Sequence, residues 1–214
     1  MLAVAFCLAG VFALLIISEL LGQRKKLHGD LQRQFVHITV GSFIAFWPWL
    51  IGWRTIQIIG VAMLAVVLLN RRYKLTDFYT KVGRRSYGDV FYALAIISSA
   101  LLTDEKIFFA VAMLTMALGD GLANIIGQRY GQRWKYKFWG HTKTVYGSMA
   151  MWLVSISVLG IGLLFVTDIV DYSEYGTLLL LLPPALVLVE NAAVWGLDNL
   201  LVPAVIIMTL NLTQ

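Results

Sequence analysis

Five carboxylates fall within or at the ends of strongly apolar stretches: Glu19, Asp89, Asp120, Glu190 and Asp198. An ionisable group in a hydrocarbon environment is expensive, so each is a candidate for function by default. Acids that converge in a low dielectric repel one another unless a cation neutralises them. Mg²⁺ together with a nucleotide would do so, because Mg²⁺ favours carboxylate and phosphate oxygens. The plainer role is pairing with a nearby Arg or Lys, and that is expected of Glu19. Asp120 and Glu190 are expected to be functional.

The densest chemistry lies in residues 119–150. Asp120 and Asn124 are four apart and share a helix face. Gly119, Ala123, Gly127 and Gly131 form a second face of small residues, suited to close helix packing. The same face would also let a bulky ligand approach the backbone. A basic loop follows, and the chain re-enters an apolar run at Lys143-Thr144-Val145-Tyr146-Gly147-Ser148. A lysine and two hydroxyls at a helix N-terminus make a phosphate cradle, since free N–H groups and the helix dipole favour anions there. Neither a Walker A loop nor a G-x-G-x-x-G fingerprint is present, so any nucleotide site is of another kind. Arg33, His37 and Gly41 repeat at every fourth position. Spacing alone favours a hydrogen-bonded structural role for His37 over orientation of a phosphate or lipid hydroxyl. His28, His141 and the lone Cys7 lack the partners for a zinc site.

The elements that position these residues follow from composition. The 214 residues are 59% hydrophobic and 14% charged, with a mean hydropathy of +0.78, whereas a soluble domain carries about 25% charge. Lipid is therefore the solvent, and helices are required to satisfy the backbone. A span needs about 20 apolar residues, which predicts an all-α polytopic bundle of about seven transmembrane helices, six to eight in all. The spans fall at 1–22, 34–53, 54–70, 88–103, 106–127, 145–167 and 176–195, with a short eighth run at 199–213 that is a full span, a tilted one or a re-entrant segment. The whole chain, 1–214, reads as one membrane-embedded catalytic domain. Loops at 23–33, 71–87 and 128–144 hold Arg24, Lys25, Lys26, Arg33, Arg71, Arg72, Lys74, Lys81, Arg84, Arg85, Arg129, Arg133, Lys135, Lys137 and Lys143, leaving only Arg54 and Lys106 of the 17 basic residues on the opposite side. The positive-inside rule puts these loops in the cytoplasm and the N-terminus outside. The five carboxylates then all lie toward the cytoplasmic face. The cations set topology in place of binding nucleic acid, despite a net charge of +5. Trp47, Trp49 and Trp53 read as an aromatic belt at the outer boundary.

Taken in order, Arg33-x-x-x-His37, Arg85-x-x-Gly88-Asp89, Gly119-Asp120-x-x-Ala123-x-x-x-Gly127-x-x-x-Gly131, Lys143-Thr144-x-x-Gly147-Ser148 and Glu190…Asp198-Asn199…Pro203 resemble the polyprenol kinase family. That family includes dolichol, phytol and farnesol kinases and CTP-dependent diacylglycerol kinases. The resemblance covers about residues 30–205 and is most specific in the block from Gly119 to Ser148. It implies transfer of the γ-phosphoryl of CTP, or of ATP or UTP, to a lipid hydroxyl. Such chemistry depends mainly on positioning and charge neutralisation. It further implies Asp120 on Mg²⁺, with Asp89, Glu190 or Asp198 as further ligands. Lys143, Gly147 and Ser148 would hold phosphates, with Asn124, Gly127, Gly131, Thr144 and Asn199 completing a nucleotide site. Arg33 and His37 would orient lipid or phosphate. The lipid would enter laterally from the inner leaflet, and the compact length points to a prokaryotic plasma membrane.

Two other classes compete. A cytidylyltransferase would use the same nucleotide and metal but release pyrophosphate; the Lys-Asp signature of those enzymes is missing, since Thr144 follows Lys143. An ion-coupled transporter also places acids within membrane helices, but a transport route would carry some near the midplane and the outer side.

Overall fold

The computed structural model describes residues 1–24, 27, 29–73 and 87–213. The cations Lys25, Lys26, Lys74, Lys81, Arg84 and Arg85, together with His28, lie outside the described residues. The fold is an all-α polytopic membrane bundle. Helix α1 (Leu2–Gln23) runs to one end of the bundle and α2 (Asp30–Ile44) runs back. A 3₁₀ turn (Trp47–Trp49) leads into α3 (Trp53–Tyr73), and α4 (Gly88–Leu102) follows. The next span, Lys106–Arg133, is built from α5 (Lys106–Leu114), a π segment (Thr115–Asp120), α6 (Gly121–Tyr130) and a 3₁₀ turn (Gly131–Arg133). Two short strands, β1 (Lys135–Phe138) and β2 (His141–Thr144), precede α7 (Val145–Leu163), α8 (Tyr172–Ala192) and α9 (Asp198–Leu210).

Five of these segments are long and apolar enough to cross a membrane: α1, α3, Lys106–Arg133, α7 and α8. Two shorter apolar helices, Gly88–Leu102 and Asp198–Thr213, accompany them. Lys106–Arg133 is the central post, with 67% of its apolar window buried against 11% for α1. It packs on α2, α7 and α9, whereas α1 leans on α2 alone among the larger contacts and α3 packs mainly on α4. The outer helices turn Phe6, Phe12, Ile58, Val66, Leu153 and Leu188 outward. Exposed apolar side chains on spanning helices are what a lipid solvent requires.

Several boundaries differ from expectation for local reasons. The helix expected over 34–53 begins earlier, at Asp30, and stops at Ile44. Pro48 has no N–H to give to the carbonyl of Ile44, so the chain tightens into a 3₁₀ turn. The expected aromatic belt reduces to Trp49. Trp47 is fully buried, edge-on to Phe43 with ring centroids 6.4 Å apart, and Trp53 packs edge-on to Phe109. The run at 199–213 forms α9, packed on α4 and α5, and Asn211 donates to the Leu102 carbonyl at the far end of α4. The basic segment at 128–144 contains an antiparallel hairpin that pairs Lys135 with Thr144 and Phe138 with His141. Its two-residue turn, Trp139-Gly140, has positive φ at both positions, the condition for a type I′ turn.

Gly41 marks the tightest contact between α2 and the central post. A Cβ there would lie 2.5 Å from the Ala117 Cβ and 2.6 Å from the Tyr92 hydroxyl. Overpacking of this kind costs about 1–3 kcal/mol. Gly41→Val should therefore lower the thermal midpoint of the detergent-solubilised protein measurably in a fluorimetric melt. An unchanged midpoint would mean that α2 and the post are not in this contact.

Candidate functional site

The polar residues collect where α2, α4, α6, β2, α7, α8 and α9 meet, at the end of the bundle that carries the described basic residues of the three loops. They enclose a cavity of about 330 Å³. Its floor is acidic. Asp120, Glu190 and Asp198 offer carboxylate oxygens that all lie within 4.8 Å of one another. Each comes from a different part of the fold: the end of the π segment, the last turn of α8 and the first turn of α9. The π turn has a local cause and a local effect. One extra residue in a helical turn rotates everything downstream by about 100°, which sets the facing of Asp120 and of α6. Beyond it the α-helical register resumes. Asn124 donates to Asp120 Oδ1 at 2.7 Å and to the Asp120 carbonyl at 3.1 Å, as the spacing of four predicts.

Lys143 answers the acids. Its ammonium donates to Glu190 Oε1 at 2.5 Å and to the Glu190 carbonyl at 2.9 Å. Its stem rides on β2, and β2 stops where Thr144 caps α7 by accepting from the Gly147 N–H at 3.1 Å. The hairpin makes a second bond to the same corner. The Tyr136 hydroxyl, opposite Lys143 in register, lies 2.5 Å from Ser148 Oγ and donates to Asn191 Oδ1 at 2.9 Å. His37 places Nε2 3.5 Å from Asp120 Oδ2 and 3.4 Å from the Met116 carbonyl, with its ring edge-on to Tyr92. Arg33 reaches the cavity rim while paired with Asp30 at 2.9 Å.

The residues singled out by sequence do not all arrive here. Asp89 stands apart from the acidic cluster, bonded to Arg71 through both carboxylate oxygens. Gly131 does not line the cavity. A Cβ on it would press on the Thr144 side chain, and one on Gly127 would lie 2.7 Å from Thr144 Oγ1. The small-residue face thus serves the contact of α6 with the start of α7, although Gly127 and Gly147 also border the cavity. Asn199 donates to the Gly88 carbonyl at 2.9 Å and so joins α9 to α4, which leaves its Oδ1 buried without a partner. Glu19 accepts from Gln23 and Gln32, a polar clamp between α1 and α2 and not part of the cavity. Residues that sequence reasoning passed over also line it: Lys135, His141 and Thr142 of the hairpin, and Trp195-Gly196 between α8 and α9. The alternation K-Y-K-F, then Trp-Gly, then H-T-K-T carries a hairpin signal, but inside a basic inter-span loop it reads as topology. Trp195 has φ of 57°, a left-handed backbone that is rare without glycine.

This donor set fits a hard dication. All three acids supply oxygen, the unpartnered Asn199 amide oxygen borders the same space, and Mg²⁺ or Ca²⁺ takes oxygen ligands while Mg²⁺ keeps several waters.

A helical membrane bundle with an acidic, lysine-bearing cavity at one end defines a class of membrane protein equipped for charged substrates. Its relatives narrow that class. The chain is 32% identical over 212 residues to a phytol kinase of Synechocystis sp., which covers 94% of this chain and 87% of that one. It is 28% identical over 169 residues to phytol kinase 1, chloroplastic, of Arabidopsis thaliana, covering 72% of this chain and 53% of that protein. An uncharacterized protein of Methanocaldococcus jannaschii is 28% identical over 141 residues, 61% of this chain and 71% of that one. The chain spans about half the length of the chloroplastic relatives. No family model matches the chain, and no solved structure does. The chain belongs to the polyprenol and phytol kinase family.

Tyr136→Phe removes the hydroxyl that holds the hairpin to Ser148 and Asn191. One or two hydrogen bonds at about 1 kcal/mol each should loosen the strands, and trypsin cleavage after Lys137 should accelerate several-fold. Cleavage at the wild-type rate would show that this network does not secure the hairpin.

Proposed function

We propose that the protein is an integral membrane kinase that transfers the γ-phosphoryl of CTP, or of another nucleoside triphosphate, to the hydroxyl of a lipid alcohol. The acceptor is an isoprenoid alcohol of the phytol, farnesol or polyprenol type, the class named in its relatives. The observation that carries the reading is the convergence of Asp120, Glu190 and Asp198 beside Lys143 in a cavity at the basic end of the bundle. In the transfer, the alcohol oxygen forms a bond to the γ-phosphorus. The bond from that phosphorus to the β–γ bridging oxygen breaks, and the electron pair leaves with the nucleoside diphosphate. The alcohol proton goes to a carboxylate of the cluster or to water.

Asp120, Glu190 and Asp198 would hold Mg²⁺, which when bound would neutralise the carboxylates and the β- and γ-phosphate oxygens together. Asn124 fixes the Asp120 carboxylate through its 2.7 Å bond. Lys143 and the Gly147 to Ser148 turn, at the N-terminus of α7, receive phosphate oxygens. His37, beside Asp120, and Arg33, at the rim, orient the acceptor or the phosphates. The basic loops place this end in the cytoplasm, where the nucleotide is, with the acceptor hydroxyl arriving from the inner leaflet.

Purified protein with Mg²⁺, γ-labelled CTP or ATP, and a panel of isoprenoid alcohols and diacylglycerol should give labelled lipid phosphate. Asp120→Asn and Lys143→Ala should each lower turnover by roughly a hundredfold or more in protein that still folds. Near-normal rates in either variant would break the assignment of these roles. Pyrophosphate release from CTP and phosphatidate, with no label in lipid, would replace the kinase by a cytidylyltransferase. No turnover with any pair would return the acidic cluster to a transport role.

A further inference from the structure

From residue 121 to residue 167 the chain contains no acidic residue, yet it carries Arg129, Arg133, Lys135, Lys137 and Lys143. The hairpin at the centre of this stretch has two unlike faces. The inner one is committed, since Tyr136 and Lys143 are opposite in register and bond to Ser148, Asn191 and Glu190. The outer face and the turn are open. Trp139 is 79% exposed at the tip and Trp134 62% exposed at the base, while Arg133 and Lys137 are exposed between them.

Large bare indoles beside uncompensated cations are poorly placed in bulk water. Trp favours the zone of lipid headgroups, and Lys and Arg are attracted to an anionic leaflet. The geometry keeps the hairpin in that zone. It joins two spanning segments, Lys106–Arg133 and α7, and its strands are four residues long, so its tip reaches about 13 Å at most. A free anion would need converging donors in an enclosed site, whereas these groups lie spread on an open face. We propose that the outer face and tip of the hairpin dock on anionic phospholipid headgroups of the leaflet at the basic end, with Trp139 inserted among them and Arg133 and Lys137 paired with phosphates. The proposal does not depend on the kinase reading. Its consequence for the site is mechanical, because the same strands carry Lys143 to Glu190.

The test uses the full chain in nanodiscs of phosphatidylcholine mixed with phosphatidylglycerol, with bromine on the acyl chains of one lipid or the other. The difference in quenching between wild type and Trp139→Phe isolates Trp139. Brominated phosphatidylglycerol should quench it more than brominated phosphatidylcholine at equal content. That excess should fall with added salt and by roughly fivefold for each cation removed in Arg133→Gln and Lys137→Gln. The charge-conserving pair Arg133→Lys and Lys137→Arg should keep it, which separates lost charge from lost fold. Equal quenching by the two lipids, no quenching by either, or an excess that survives removal of both cations would each overturn the proposal.

Discussion

Three carboxylates within 4.8 Å of one another, inside a bundle whose solvent is lipid, are the constraint to which the rest of the molecule answers. Like charges at that separation in a low dielectric repel by several kcal/mol for any reasonable effective screening. A fold that brings them together must supply positive charge nearby or hold them apart mechanically. This one does both. Lys143 bonds the side chain and the carbonyl of Glu190, and Asn124 fixes Asp120. The Asn199 to Gly88 bond fixes the start of α9, where Asp198 sits, against α4.

The mechanical part explains the packing of the central post. Asp120 is carried on the most buried span, and the π segment that ends at Asp120 decides which way that residue and α6 face. Around it the helices approach as closely as their backbones allow. Gly41 admits Ala117 and Tyr92, Gly119 admits Met151, and Gly127 with Gly131 admits Thr144. The small residues therefore act indirectly on the chemistry. They let α2, α7 and the post converge, and convergence is what assembles a site from three helices.

Much of this was legible in the chain. Spans follow from hydropathy because lipid leaves the backbone no alternative to helix. The partnership of Asp120 with Asn124 follows from the helical period, and the separation of acids from the outer side follows from loop charge. The rest depends on information that hydropathy does not carry. Asp89 looked equivalent to Asp198, each an acid at the start of an apolar helix, but Arg71 at the end of α3 takes Asp89, and nothing local in sequence distinguishes the two. Trp47 read as interfacial because of its neighbours Pro48 and Trp49, yet the 3₁₀ turn at Pro48 puts it in the core. The π segment leaves no trace in periodicity, since the post is buried on nearly every side. The hairpin was hidden for the opposite reason: its cations satisfied a topology rule so fully that its alternation went unread.

The hydrogen bonds of Lys143 show how a site held together by one cation can still receive an anion. An ammonium has three N–H groups. Two are directed at Glu190, and among the described residues the third has no partner, while the side chain lines the cavity. A phosphate oxygen can therefore be met without first breaking the bond that neutralises Glu190. A dication among the carboxylates would then relieve Lys143 of part of that duty and leave more of its charge for the phosphate. The order of events follows from the electrostatics: with metal absent, Lys143 is held by the acid; with metal and phosphate arriving together, the positive and negative charges added are nearly balanced, and the three carboxylates can stay where the packing puts them. A site of this kind suits a reaction in which the nucleotide comes and goes with its metal, because the protein has to rearrange one flexible side chain and not the helices that carry the acids.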